Sequence, residues 1–163
     1  MNPKTILIGN DHGGYDLALQ VMDCLKKKEF PCEHVGSFSG EIVRYPYYAA
    51  KVAGAVSRKE IERGILICST GIGMSIIANR YKGVRASLCT STYMGKMTRA
   101  HNNSNLLCLG GRITGVLEAL DILEAWITTP YDGGRHDISL GLIADAEETI
   151  CNPAGWTPTG PMK

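Results

Sequence analysis

Three five-residue apolar runs constrain the fold more than any other feature. They are TILIG (5–9), GILIC (64–68) and LLCLG (106–110), and none alternates apolar with polar side chains. A strand that is apolar at successive positions must be covered on both faces. Helices on the two sides of a parallel sheet provide that cover, and parallel strands need crossover connections between them.

The rest of the chain supplies those connections. After TILIG comes DHGG and an amphipathic stretch to about Glu29. CEHVG (32–36) precedes YYAAKVAGAVSR (47–58), whose Ala49, Val52, Ala53 and Val56 fall at helical spacing. GILIC leads through a glycine turn into MSIIANRY, and VRASLC (84–89) into a helix over about 91–101. LLCLG is followed by a helix from about Val116 to Ile127, and a last helix covers about 137–150. The pattern predicts an α/β fold: a three-layer, Rossmann-like, doubly wound sheet of five parallel strands. One domain spans 1–150. The tail 151–163, NPAGWTPTGPMK after Cys151, is rich in Pro and Gly and is expected to be irregular and to lie over a neighbouring surface.

Charge excludes several partners. The formal net charge is +1 with no basic block or acidic tail, so neither nucleic acid nor a membrane surface is an expected partner. No apolar run approaches the roughly 20 residues a bilayer requires. The opening MNPKTILIGND meets a turn too early for a secretory signal. Six cysteines, at 24, 32, 68, 89, 108 and 151, form no Cys-x-x-Cys pair. They read as reduced residues of a cytoplasmic protein, with no disulfide frame or zinc site.

In a doubly wound sheet, ligands bind outside the carboxyl ends of the strands. The unusual residues collect where strands are predicted to end: Asp11, His12 and Gly13; Cys68 to Gly73; Gly110, Gly111 and Arg112. Cys24, Cys32, Cys89 and Cys108 read as small buried hydrophobes. Cys68 differs, because it ends a strand and precedes a glycine turn that opens a helix. Backbone amides there stabilise negative charge and favour a thiolate. A phosphatase loop needs arginine six positions after its cysteine, and Met74 stands there instead. A dinucleotide loop needs a third glycine where Ile76 stands. There remains an anion-holding turn beside a base: amides of residues 71–75 facing a developing oxyanion while the thiolate removes a proton.

His12, His101 and His136 sit in polar, loop-like contexts, where an imidazole can accept and return a proton near neutral pH. Arg112 and Arg135 each follow a glycine pair. Glycine permits close backbone approach, and guanidinium groups suit phosphate. A phosphorylated small molecule is the expected ligand.

The segments DHGGY, YPYYA, GILICSTGIGMSIIANR, MTRAHNNSN, GGRITG and DGGRHD, in that order, resemble the ribose-5-phosphate isomerase B family, which includes galactose-6-phosphate isomerase subunits. The resemblance covers about residues 4–150. It implies an aldose–ketose isomerase of a phosphorylated sugar, without metal or cofactor. It also implies homodimers, some paired into tetramers, with the C-terminal helix and tail packing on a partner subunit and the active site between subunits. Cys68 then resembles the base that moves the proton through a cis-enediolate, and Thr70 and His101 the groups that open the sugar ring. Asp11 and Asn102 resemble hydroxyl contacts, and the amides from Gly71 through Gly73 to Ser75 the enediolate cradle. Tyr45 and Ser69 join the substrate-binding set. His12, Arg112, Arg135 and His136 resemble phosphate-site residues, some from the partner chain.

Three positions depart from the pattern: Arg44 where Asp is common, Ser139 where a further arginine is common, and Ser69 where glycine is frequent. One carboxylate and one guanidinium fewer point to a sugar or sugar phosphate other than ribose 5-phosphate. Two other readings use the same residues: a sugar-phosphate-binding or regulatory module with little turnover, and a flavodoxin-like nucleotide binder.

Overall fold

The computed structural model describes residues 2–149, so the tail 151–163 lies outside the described residues. Five strands form one sheet: β1 (Ile6–Asn10), β2 (Cys32–His34), β3 (Gly64–Cys68), β4 (Ala86–Leu88) and β5 (Leu106–Gly110). All pairings are parallel, and the order is β2-β1-β3-β5-β4. The three apolar runs supply the central strands, and every residue of those strands is buried. The shorter β2 and β4 are the edges, and their residues are half-buried or exposed.

Side-chain alternation along the central strands divides the core into two layers. Ile6, Ile8, Ile65, Ile67, Leu107 and Leu109 face α1 (Tyr15–Lys27) and α5 (Val116–Thr128). Leu7, Leu66, Cys68, Leu106 and Cys108 face α2 (Tyr45–Ser57) and α3 (Ile72–Ala78). Burying this much apolar surface is the main stabilising term, at roughly 25 cal/mol per Å². The parity places the Cys68 side chain in the α2/α3 layer, beside Cys108.

Two further helices complete the described chain. α4 (Thr92–Asn102) packs along α5, with Gly95 so close that an added Cβ would stand 2.8 Å from the Ile122 carbonyl oxygen. Ser91 caps α4 by accepting the Met94 N–H. α6 (Arg135–Thr149) follows a loop of two left-handed glycines, Gly133 and Gly134. It buries none of its own residues in this chain.

The sheet changes direction at β1. From β1 the chain steps outward to β2, and β3 then lies on the other side of β1. The loops leaving β1 and β3 therefore diverge, leaving a crevice at the carboxyl edge. No helix among the described residues is long and apolar enough to cross a membrane.

Candidate active site

Three loops meet at that crevice. The Gly111 N–H donates to the Cys68 carbonyl at 2.7 Å, and the Arg112 N–H to the Ser69 carbonyl at 3.0 Å. A Cβ on Gly111 would lie 2.6 Å from the Gly13 carbonyl oxygen, so these two backbones touch and a side chain there has no room. Cys68, Ser69, Gly13 and Arg112 are thereby fixed against one another by main chain.

Cys68 is 5% exposed and ends β3. Its sulfur accepts the Gly71 N–H at 3.1 Å. Gly71 reaches that position with φ 76°, a left-handed conformation that favours glycine. This hydrogen bond ties the sulfur to the glycine turn. The turn does not offer all five amides expected from the sequence. The Ile72 N–H donates to Thr70 Oγ1 at 3.4 Å and the Ser75 N–H to the Gly71 carbonyl at 3.0 Å, while the Ser75 hydroxyl donates to the Ile72 carbonyl. Helix formation consumes the Ser75 amide. Among the described residues, only the Gly73 and Met74 amides of this turn remain without an acceptor.

The walls come from other elements. Tyr45, the first residue of α2, lays its ring over Gly73, where a Cβ would lie 2.7 Å from the ring. Asp11 is 5% exposed, and its Oδ1 accepts the N–H groups of Gly13 and Gly14 at 2.8 and 3.1 Å. Its other carboxylate oxygen takes no bond among the described residues. His12 Nδ1 accepts the Val43 N–H at 3.3 Å, so a neutral ring carries its proton on Nε2. Arg112 is exposed.

His101, Asn102, Arg135 and His136 do not join this group. α4 runs from the end of β4 back to the start of β5, so its last residues lie at the amino edge of the sheet. Asn105, just beyond, donates its N–H to the Arg85 carbonyl ahead of β4 and accepts from Gly64 at the start of β3. The sheet alone separates the two edges by about 13 Å, four strand residues at about 3.3 Å each. Cys68 and His101 of one chain therefore lie at opposite edges of the sheet. At the amino edge the rings of His101 and His136 stack with centroids 4.2 Å apart and planes 14° apart. The Asp132 N–H donates to the Ala100 carbonyl at 3.0 Å, which ties the loop before α6 to the end of α4.

Sequence reasoning missed three contributors. Asp132 stands with its carboxylate and the two histidine nitrogens all within 4.8 Å of one another. These near-parallel ring planes leave no nearby point in both, so the set does not converge on a metal. Asn10 is fully buried and donates to the Asp11 and Ser37 carbonyls, which sets the loop beneath Asp11. Its Oδ1 meets His34 Nε2 at 2.5 Å, and burial pushes the His34 pKa down. The Val43 amide orients His12. Only Asn10 left a signal, as the polar residue ending an otherwise apolar strand.

The fold and crevice define a doubly wound α/β protein whose ligand site opens at its topological switch point, with a second cluster of polar side chains at the opposite edge. The chain belongs to the ribose/galactose isomerase family, whose model matches residues 6–143, and is an isomerase by that membership. It is similar to ribose-5-phosphate isomerase B of Escherichia coli, 39% identical over 145 residues that span 89% of this chain and 97% of that one. It is also similar to D-erythrulose-4-phosphate isomerase of Pectobacterium atrosepticum, 37% identical over 131 residues, 80% of this chain and 86% of that one. Among solved structures, ribose-5-phosphate isomerase B of Clostridium thermocellum matches with a TM-score of 0.87 at 44% identity, covering 90% of this chain and 99% of that chain.

Proposed function

We propose that this isomerase interconverts a phosphorylated aldose and its ketose in an active site assembled from two copies of the chain. One copy supplies the crevice at the carboxyl edge of its sheet. The other supplies the amino-edge cluster. The observation that carries this reading is the placement of the two groups at opposite edges of one sheet. A second support is α6, which buries nothing in its own chain while Ile138, Leu142 and Ile143 stand exposed.

In this scheme the Cys68 thiolate removes a proton from the carbon beside the carbonyl. The electron pair moves onto the carbonyl oxygen, giving a cis-enediolate, and the same sulfur returns the proton to the neighbouring carbon. The charge on oxygen is the main obstacle, and one positioned donor lowers the barrier by about 2.7–4 kcal/mol. The free Gly73 and Met74 amides are the donors in reach. Thr70 and the partner's His101 open the ring, and Asp11 and the partner's Asn102 hold hydroxyl groups. His12 and Arg112 hold the phosphate together with the partner's Arg135 and the partner's His136. Tyr45 closes the crevice over Gly73, and Ser69 lines its floor.

The relatives' names span a pentose phosphate and a tetrose phosphate, which sets the size of substrate to try first. Arg44 at the start of α2 and Ser139 on α6 are both exposed and differ from the residues common in the resemblance. They are the positions from which a shifted sugar preference would arise.

Mixing two inactive variants tests the assembly. Cys68→Ala and His101→Asn, each alone, should lose nearly all turnover. Unfolded and refolded together, they should recover about one quarter of wild-type activity, because half the dimers are mixed and each has one intact site. No recovery from well-folded mixed dimers would refute the shared site. Retained activity in Cys68→Ala would refute the base. A panel of tetrose, pentose and hexose phosphates then assigns the sugar.

A further inference from the structure

A cavity of about 690 Å³ opens near the amino edge of the sheet, away from Cys68. Its lining includes Lys59, Arg63, Arg85 and Arg99 and a single acidic residue, Glu62, which is exposed. Among the described residues none of the three arginines forms a salt bridge. Their protein partners are almost entirely backbone carbonyls. Arg63 donates through Nη1 to the Ile127 carbonyl at 3.0 Å and makes no other side-chain bond. Arg99 donates through Nη1 to Asn103 Oδ1 and to the Ser104 carbonyl. Arg85 donates to the carbonyls of Asn102 and Asn103. The buried Nε of Arg99 has no partner at all.

Carboxylates act on two of these charges without forming a salt bridge, Glu147 on Arg85 and the exposed Glu62 on Arg63, while no carboxylate acts on Arg99. Half-buried guanidinium groups lose part of their hydration, and like charges raise the cost of packing them together. Burial, then the charges of Arg63 and Arg85, pull the Arg99 pKa below its ordinary value. An anion would reverse both penalties. Guanidinium forks match tetrahedral oxyanions, and Arg63 Nε and Nη2 and Arg99 Nη2 are N–H groups left without a protein acceptor among the described residues.

We infer that this cavity is a second anion site, built for a phosphate-bearing ligand and separate from the Cys68 crevice. The site adjoins the catalytic machinery without belonging to it. Arg85 grips the Asn102 carbonyl at the end of α4, one residue from His101, so an anion on Arg85 acts on the element that carries the amino-edge cluster. The inference rests on the arginines alone and stands whether or not the isomerase scheme does.

Trp126 provides a local reporter. The guanidinium carbons of Arg63 and Arg99 lie 5.9 and 6.0 Å from its ring centroid, and indole emission responds to nearby charge. The chain has two tryptophans, so a Trp156→Phe background leaves Trp126 alone. Full-length Trp156→Phe protein is titrated with pyrophosphate at low ionic strength. A saturable emission change is expected, with Arg63→Gln raising the half-saturation concentration at least tenfold and Arg63→Lys raising it less. Lys59→Gln, at an exposed position, serves as the second variant if Arg63→Gln melts early, with a severalfold rise expected. No saturable change, equal titration by every variant, or the same change from chloride at matched ionic strength would overturn the inference.

Discussion

The Gly71 N–H points at the Cys68 sulfur from 3.1 Å, and it does so only because Gly71 takes a left-handed φ of 76°. The sulfur proposed as the base and the glycine turn after it are therefore one device, with residue 71 holding the sulfur.

Gly71→Ala tests that device. A Cβ would meet the Leu109 carbonyl carbon and oxygen at 2.9 and 3.0 Å, and the left-handed conformation itself costs about 1–2 kcal/mol for a non-glycine residue. The turn must shift, taking the donor off sulfur. The expected outcome is a kcat at least about tenfold lower, less than the roughly 100-fold that losing a direct oxyanion donor costs because this amide donates to sulfur, with KM changed much less. Steady-state kinetics beside a thermal melt check it. Unchanged kcat in a destabilised variant would separate the amide from catalysis.

Thiol chemistry should separate Cys68 from the other two core thiols, Cys89 and Cys108. Burial pushes the Cys89 thiol up to about 11 and the Cys108 thiol higher still, with the neighbouring Cys68 adding to the latter. Burial also raises Cys32. At pH 8 only about one Cys89 in a thousand is a thiolate, three units below its pKa. Iodoacetamide at pH 8, read by peptide mass spectrometry, should modify Cys68 while leaving Cys89 and Cys108 unlabelled. Substrate should protect Cys68, and loss of activity should track its labelling. Full activity after stoichiometric Cys68 alkylation would end the base assignment.

How much of this was legible beforehand follows from where each signal resides. The central strands announced themselves because burial on both faces leaves no polar position, and 6–10, 64–68 and 106–110 match the three runs nearly residue for residue. The edge strands are shorter than CEHVG and VRASLC because one flank lacks a partner strand: Val35 and Ser37 still donate to the Ile8 and Asn10 carbonyls, yet no ladder continues. Pro46 near the start of α2 moved that helix two residues earlier than its alanine spacing suggested. The position of β5 between β3 and β4 had no local signature, since it depends on which strands can pair. The carboxyl-edge residues were readable from glycine and strand ends. The stack of His101 on His136 was not, because a return of α6 onto α4 brings together residues far apart in sequence.

Alkaline pH should destabilise the fold through the buried thiols. Above about pH 9 the unfolded chain releases the Cys89 proton while the folded chain retains it up to about 11. The unfolded state then binds fewer protons, so stability falls as pH rises through that window. The slope is about 1.4 kcal/mol per pH unit for each such thiol, and Cys108, raised further, adds to it. Urea melts at pH 8 and 10.5 should show the loss, and Cys89→Ala should show a smaller one. An equal loss in wild type and variant would remove Cys89 from the account.

The exposed face of α6 makes the sharpest prediction about assembly. Ile138 is 71% exposed and Leu142 38%, one turn apart on a helix that buries nothing in its own chain. Apolar side chains at that spacing form a stripe, and a second chain packed on it would cover them. Leu142→Asp places a charge in that contact, where it would be buried without a partner. It contributes nothing to the core, so circular dichroism should stay close to wild type, while the thermal transition falls by what association contributes. Light scattering should show the mass of one chain, and turnover should fall at least about tenfold, since in the proposed two-chain site each crevice would lose the partner's His101 cluster. A dimer of normal mass with normal turnover would place the partner elsewhere. A monomer with full activity would mean that one chain suffices, against the separation of Cys68 and His101 across the sheet.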